Sequence, residues 1–149
     1  MKTFLIQGRA GTGKTTLCGW IEKWLLEQGY TFVFDSREKE FPEYEYDFLA
    51  VYEKDGKKTI INTWSDTKTS AEYLSEKYEE YKPFDTIITA IRPYDWNNRL
   101  HLWLKWTFIS DITEDIIIDL DILREQCEKP ETFAKEVLEK EFIPKFLNN

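Results

Sequence analysis

The sequence predicts an α/β fold, a three-layer α/β/α sandwich around a mostly parallel sheet of five to six strands. Short β-rich runs alternate along the chain with stretches whose apolar residues recur at helical spacing, the order that βαβ units produce. One exception stands inside this order. Two β-patterned segments, 47–53 and 57–66, flank Lys54-Asp55-Gly56, and Asp-Gly signals a two-residue hairpin, hence an antiparallel pair in the sheet. A length of 149 residues suits one domain spanning 1–149 with a real core.

The first strand is Lys2 to Gln7, a short apolar run ending at Gly8. Gly8-Arg9-Ala10-Gly11-Thr12-Gly13-Lys14-Thr15-Thr16 then fits the pattern G-x-x-x-x-G-K-[ST] without a mismatch. Context tests such a match: it must follow a buried strand and open a helix. From Thr15 to Gln28, Leu17, Ile21, Trp24 and Leu25 share one face before Gly29, so both conditions are expected to hold. In that setting the loop glycines let successive N–H groups turn inward around a phosphate, and the helix adds its own N–H groups and positive dipole end. Lys14 reaches the β and γ phosphates, and the Thr15 hydroxyl is a Mg²⁺ ligand. The alternative is a ligand-free turn, which has no use for Lys and Thr just after its last glycine.

Tyr30 to Asp35 reads as the second strand. Asp35 then emerges at the C-terminal edge, where ligands collect in open α/β sheets, or it caps Ser36-Arg37-Glu38. Residues 36–46 are polar, contain Pro42 and read as a loop over the sheet edge. The second hairpin strand ends at Asp66. A carboxylate closing an apolar strand can hold Mg²⁺ directly or through water; the other reading of Asp66 is a helix N-cap. Ala71, Leu74, Tyr78 and Tyr81 share the face of the next helix, and Pro83 ends it.

Asp85 to Ile91 is a buried strand, and Arg92 and Arg99 follow it at the same edge. Either arginine can neutralise charge on a transferred phosphoryl group, or simply form surface ion pairs in an acidic protein. Trp96 to Ile109 is a helix buried through Leu100, Trp103, Leu104 and Phe108. Trp106 falls off that stripe, leaving satellite core packing, base stacking or self-association. His101, the single histidine, lacks partners for a zinc site or a triad and is read as structural. Glu114 to Asp121 is the last strand. Pro130 opens a final helix with Phe133, Ala134, Val137 and Leu138 inward, and Pro144 ends it.

A net charge of −8 argues against a surface built for nucleic acid or anionic membrane, since clustered Lys and Arg dominate both interactions. A nucleoside triphosphate therefore needs Mg²⁺ and local positive groups. The first strand begins at the N-terminus and no apolar run has membrane-span length, so a cytoplasmic protein is expected. Cys18 and Cys127 read as small core hydrophobes.

On residues 8–16, with the flanking strand and helix, the chain resembles the P-loop NTPase superfamily, most strongly over residues 2–35. The run GTGKTTLCGWIEKWLLEQGYTFVFDS looks like the opening of small-molecule and nucleotide kinases, and IIIDLDILREQCEKPETFAKEVL is similar to their closing strand, proline and helix. The resemblance implies Gly8, Gly11, Gly13, Lys14, Thr15 and Thr16 as phosphate and Mg²⁺ contacts, and Asp35 as a contact for the acceptor or metal. There are departures: no compact lid with closely paired arginines is evident, and the hairpin looks more like the region after the switch in small GTPases. However, the guanine-reading N-K-x-D is absent, and Trp64-Ser65-Asp66-Thr67 lacks the glycine of D-x-x-G, so ATP is expected over GTP. Beside the plain reading, a degenerate fold that binds nucleotide without turnover, two functions follow. One is an ATP·Mg²⁺-dependent phosphotransferase for a small-molecule acceptor, with Lys14, Asp35, Arg92 and Arg99 at the chemistry. The other is an NTP-hydrolysing switch or nucleotide-binding interaction protein in which Asp66 responds to the γ phosphate.

Overall fold

Six strands, β1 (Lys2–Gln7), β2 (Thr31–Asp35), β3 (Leu49–Lys54), β4 (Lys57–Asn62), β5 (Thr86–Ile91) and β6 (Glu114–Asp119), join in one mixed sheet. Their order is β2-β3-β4-β5-β1-β6. The structure, a computed structural model, describes residues 1–44, 46–64, 67–96, 98–108 and 110–148, the side chains of Asn98 and Leu100 excepted. β4, β5, β1 and β6 pair in parallel, while β3 pairs antiparallel with both β2 and β4. Only β3 runs backwards. Its reversal follows from the Asp55-Gly56 turn, whose residues both take positive φ (52° and 80°), as a two-residue hairpin matched to strand twist requires. β5 is buried along its whole length, which its continuous apolar run anticipates for a strand covered on both faces.

Helices cover the two faces. α1 (Lys14–Glu27) buries Leu17, Cys18, Ile21 and Leu25 against one face, beside a C-terminal helical segment that contributes Phe133, Val137, Leu138 and Phe142. α3 (Lys68–Tyr81) and α4 (Asn98–Phe108) cover the other, where Leu74, Tyr78 and Phe108 pack on Leu49, Val51, Ile60 and Ile87. This is the expected three-layer sandwich. Among the described residues no helix is long and apolar enough to cross a membrane.

Several boundaries differ from the sequence expectation, and side-chain caps explain most of them. The segment after β2 opens with a helical turn, α2 (Ser36–Lys39), because the Asp35 carboxylate accepts from Arg37 N. β6 stops at Asp119, which caps α5 (Leu120–Glu125) by accepting from Ile122 N. β4 ends at Asn62, and Asp66, the expected end of that strand, lies outside the described residues with Ser65. The N-cap of α3 is Thr67, in a reciprocal capping box with Ser70. Pro144 does not end the last helix. α6 (Phe133–Val137) passes through a π-helical turn at Leu138–Phe142 into a further helical turn at Ile143–Leu147, and the wider i→i+5 pattern accommodates a residue with no N–H to donate. Trp106 is 73% exposed, so satellite core packing is ruled out for it.

Candidate functional site

The register places the C-terminal ends of the parallel strands on one edge: Gln7 lies opposite Ile91 and Asp119, and Thr89 opposite Asn62. Leu49, at the start of the reversed β3, pairs with Asn62. The segment entering β3 therefore arrives at the edge where its neighbours leave.

The loop of residues 8–13 spans the gap from β1 to α1 at this edge, and Lys14 and Thr15 open the helix. Gly13 is the helix N-cap with φ 100°, a left-handed conformation that a residue with a Cβ resists. Lys14 folds back over the loop, its Nζ donating to the carbonyls of Gly8 and Arg9 at 2.6 and 2.9 Å. From the far side, Arg124 Nε donates to Thr12 O at 2.8 Å and Arg9 N donates to Asp121 Oδ2 at 3.2 Å. α5 thus clamps the loop in place.

A cavity of about 350 Å³ opens over the loop, lined by Ala10, Gly11, Lys14 and Thr15 on one side and by Asp47, Thr63, Trp64, Thr67 and Arg92 on the other. Thr15 Oγ1 donates to Asp47 Oδ1 at 3.2 Å, and Thr63 Oγ1 lies the same distance from that oxygen. Thr63 is held in turn by Phe48 N, which donates to its hydroxyl at 2.8 Å. Arg92 is braced through its backbone, where His101 Nε2 donates to its carbonyl at 2.7 Å, and its guanidinium lies 5.5 Å from the Trp96 ring centroid. That contact is the structural part expected of His101. Cys18, buried beneath the loop, has its thiol pKa pushed up to about 12, first by burial and then by the Asp47 and Glu22 carboxylates.

Of the other sequence candidates that the structure describes, Thr16, Asp35 and Arg99 do not line this cavity. Asp35 ends β2, and four inter-strand steps at roughly 4.8 Å each put that strand about 19 Å across the sheet from β1. Its Oδ1 accepts from Arg37 N and Nε at 3.0 and 2.8 Å. Arg37 also donates to both oxygens of Glu22, at 3.1 and 2.6 Å, and Glu22 accepts from the Tyr52 hydroxyl. The cap reading of Asp35 describes its surroundings. Thr16 and Arg99 are exposed, and Arg99, in the first turn of α4, does not line the cavity. Asp66 lies outside the described residues.

Asp47 was missed from the sequence. A signal was present: once Asp55-Gly56 marks a hairpin with a parallel-facing second strand, the first strand must begin at the edge where the second ends. An acid just before that first strand then faces the glycine loop. Comparison with family models, with curated proteins and with solved structures returns no match.

Proposed function

We propose that the cavity over the Gly8–Thr16 loop binds ATP·Mg²⁺, and that the protein is a phosphotransferase of the P-loop NTPase kind acting on a small-molecule acceptor. One observation carries this reading. A complete G-x-x-x-x-G-K-[ST] run lies between a buried strand and the N-terminus of α1, with Lys14 arched over the loop and Thr15 meeting Asp47. Backbone N–H groups and a helix dipole end favour phosphate there, and Lys14 and Arg92 supply the local positive charge that an acidic protein otherwise lacks.

Among the described residues no three Asp, Glu, His or Cys side chains converge as a metal cage. Mg²⁺ needs none, since it binds through one or two carboxylates and substrate phosphates. The Asp47 carboxylate and the Thr15 hydroxyl are an all-oxygen donor pair that fits it, and the ion there neutralises charge on the phosphates. Lys14 orients the β and γ phosphates, and Arg92 offsets charge developing on the transferred group. The acceptor hydroxyl oxygen bonds to the γ phosphorus as the bond to the bridging oxygen breaks. ADP leaves with the electron pair, and the hydroxyl proton passes to solvent.

Calorimetric titration with ATP·Mg²⁺ tests this. Lys14→Ala should abolish binding while the fold survives, because the ammonium lies over the loop, donating to the Gly8 and Arg9 carbonyls, where it would meet the phosphate charge. Unchanged affinity in a folded variant overturns the reading. ATP should also outcompete GTP; GTP binding about tenfold tighter, roughly 1.4 kcal/mol, together with hydrolysis in the absence of an acceptor, identifies the switch instead.

A further inference from the structure

Next to the loop cavity lies a second, of about 240 Å³, walled by Phe41, Tyr44, Trp64 and Tyr73, with Thr67, Thr69 and Ser70 at its floor. Trp64 and Thr67 line both cavities, so the two share a wall. Phe41, Trp64 and Tyr73 stand nearly perpendicular to one another, with ring centroids 5.5–5.9 Å apart and planes 71–81° apart. Tyr44 stands at 87° to Trp64 at 6.4 Å. Each ring meets its neighbours edge to face, and together they form the corner of a box. This is not ordinary core, because Tyr44 remains 52% exposed. The segment carrying Phe41 is pinned to α3 by Glu40, which accepts from the buried Lys77 Nζ at 2.8 Å.

Aromatic walls suit two kinds of guest, a methylated cation or a planar ring. The start of α3 discriminates between them. Thr67 is its N-cap and Thr69 and Ser70 lie in its first turn, and the positive end of a 14-residue helix repels a cation and favours a ring bearing acceptor atoms. Size agrees: pockets for whole drug-sized ligands run from roughly 300 to 1,000 Å³, so this space suits a ring, with the rest of the molecule in the adjoining cavity.

We propose that the box holds the heteroaromatic base of a nucleoside-like phosphoryl acceptor, whose sugar hydroxyl passes Trp64 and Thr67 to reach the loop cavity. The assignment rests on the phosphotransferase reading and adds the class of acceptor to it. Stacking on such rings is sequence-tolerant and substantial for any base, so the box explains retention of a base more than choice among bases.

The test titrates the full chain separately with adenosine, guanosine, cytidine, uridine and thymidine, with ribose and choline as controls and ATP·Mg²⁺ in parallel. At least one nucleoside should bind, and neither control should. Tyr44→Ala, which removes a half-exposed ring, and Phe41→Ala should each weaken that nucleoside at least tenfold and change ATP·Mg²⁺ affinity less than twofold. Thermal melting checks that both variants fold. The proposal is overturned if a protein that binds ATP·Mg²⁺ takes none of the five nucleosides, if choline binds in their place, or if Tyr44→Ala leaves the nucleoside untouched. Equal losses of nucleoside and ATP·Mg²⁺ also overturn it, because the box then holds the base of the triphosphate itself. A parent that fails to bind ATP·Mg²⁺ sinks the phosphotransferase reading alone, and nucleoside binding lost in Tyr44→Ala keeps the box.

Discussion

Asp47 holds two hydroxyls on one carboxylate oxygen, Thr15 at 3.2 Å and Thr63 at 3.2 Å, and the proposed function makes the first of these contacts the place of the metal. Asp47→Asn keeps the size and the acceptor oxygen but loses the charge. ATP affinity measured with Mg²⁺ should therefore fall at least tenfold, about 1.4 kcal/mol, while affinity measured in EDTA should barely change. Equal affinities with Mg²⁺ would remove Asp47 from the metal's surroundings. Cys18 offers a second measurement. With its thiol pKa near 12 and its side chain fully buried, it should resist alkylation in the native protein at pH 8, while the half-buried Cys127 reacts first. Lys14 and Thr15 were legible because a short pattern specifies them. Asp47 belongs to no pattern, and its position depends on the direction of one strand.

At the scale of elements, the strands and long helices were legible from β-rich runs, helical hydrophobic period and the Asp55-Gly56 turn signal, and several errors fall where an aspartate closes a strand. In sequence Asp35 reads as a strand-final acid and the last strand reads on to Asp121, yet Asp35 and Asp119 each spend their carboxylate on the backbone of the following helical turn. Sequence cannot separate a metal-binding acid from a cap, because a short carboxylate at the same chain position serves either role. Energetics can. Asp35→Ala should lower stability by about 1 kcal/mol, as lost caps typically do, and leave ATP·Mg²⁺ affinity unaltered; a lost affinity at unchanged melting temperature would return Asp35 to the site. Arg37→Met should cost more, about 2–3 kcal/mol, because it strands Glu22 and Asp35 without a counter-charge, though partial exposure keeps the loss below that of a fully buried pair.

Taken as a whole, the molecule should be vulnerable to alkali. Burial raises the Cys18 thiol from 9.0 to about 12, and burial together with the Glu22 carboxylate holds the Tyr52 hydroxyl well above 10.0. Both groups lose protons at lower pH when the chain is unfolded, so the stability they contribute is complete below about pH 9 and drains away as pH climbs toward the folded values. The melting temperature should fall steadily between about pH 9 and about pH 11, and a flat profile would contradict the burial of both groups. The reversed strand has a different kind of consequence. β3 lends no strand residue to the loop cavity, yet its six residues run from the Asp55-Gly56 turn to the approach of Asp47, roughly 20 Å away at about 3.4 Å per residue. Its ladder with β4 is fixed from Leu49 opposite Asn62 to Lys54 opposite Lys57. The spacing between Asp47 and Thr15 is thus recorded as a length of chain and not as the identity of any side chain. Conservative substitutions along β3 should leave nucleotide affinity alone, whereas deleting one residue exchanges its two buried faces and withdraws Asp47 by a whole step, a dependence that deletion scanning exposes and substitution scanning passes over.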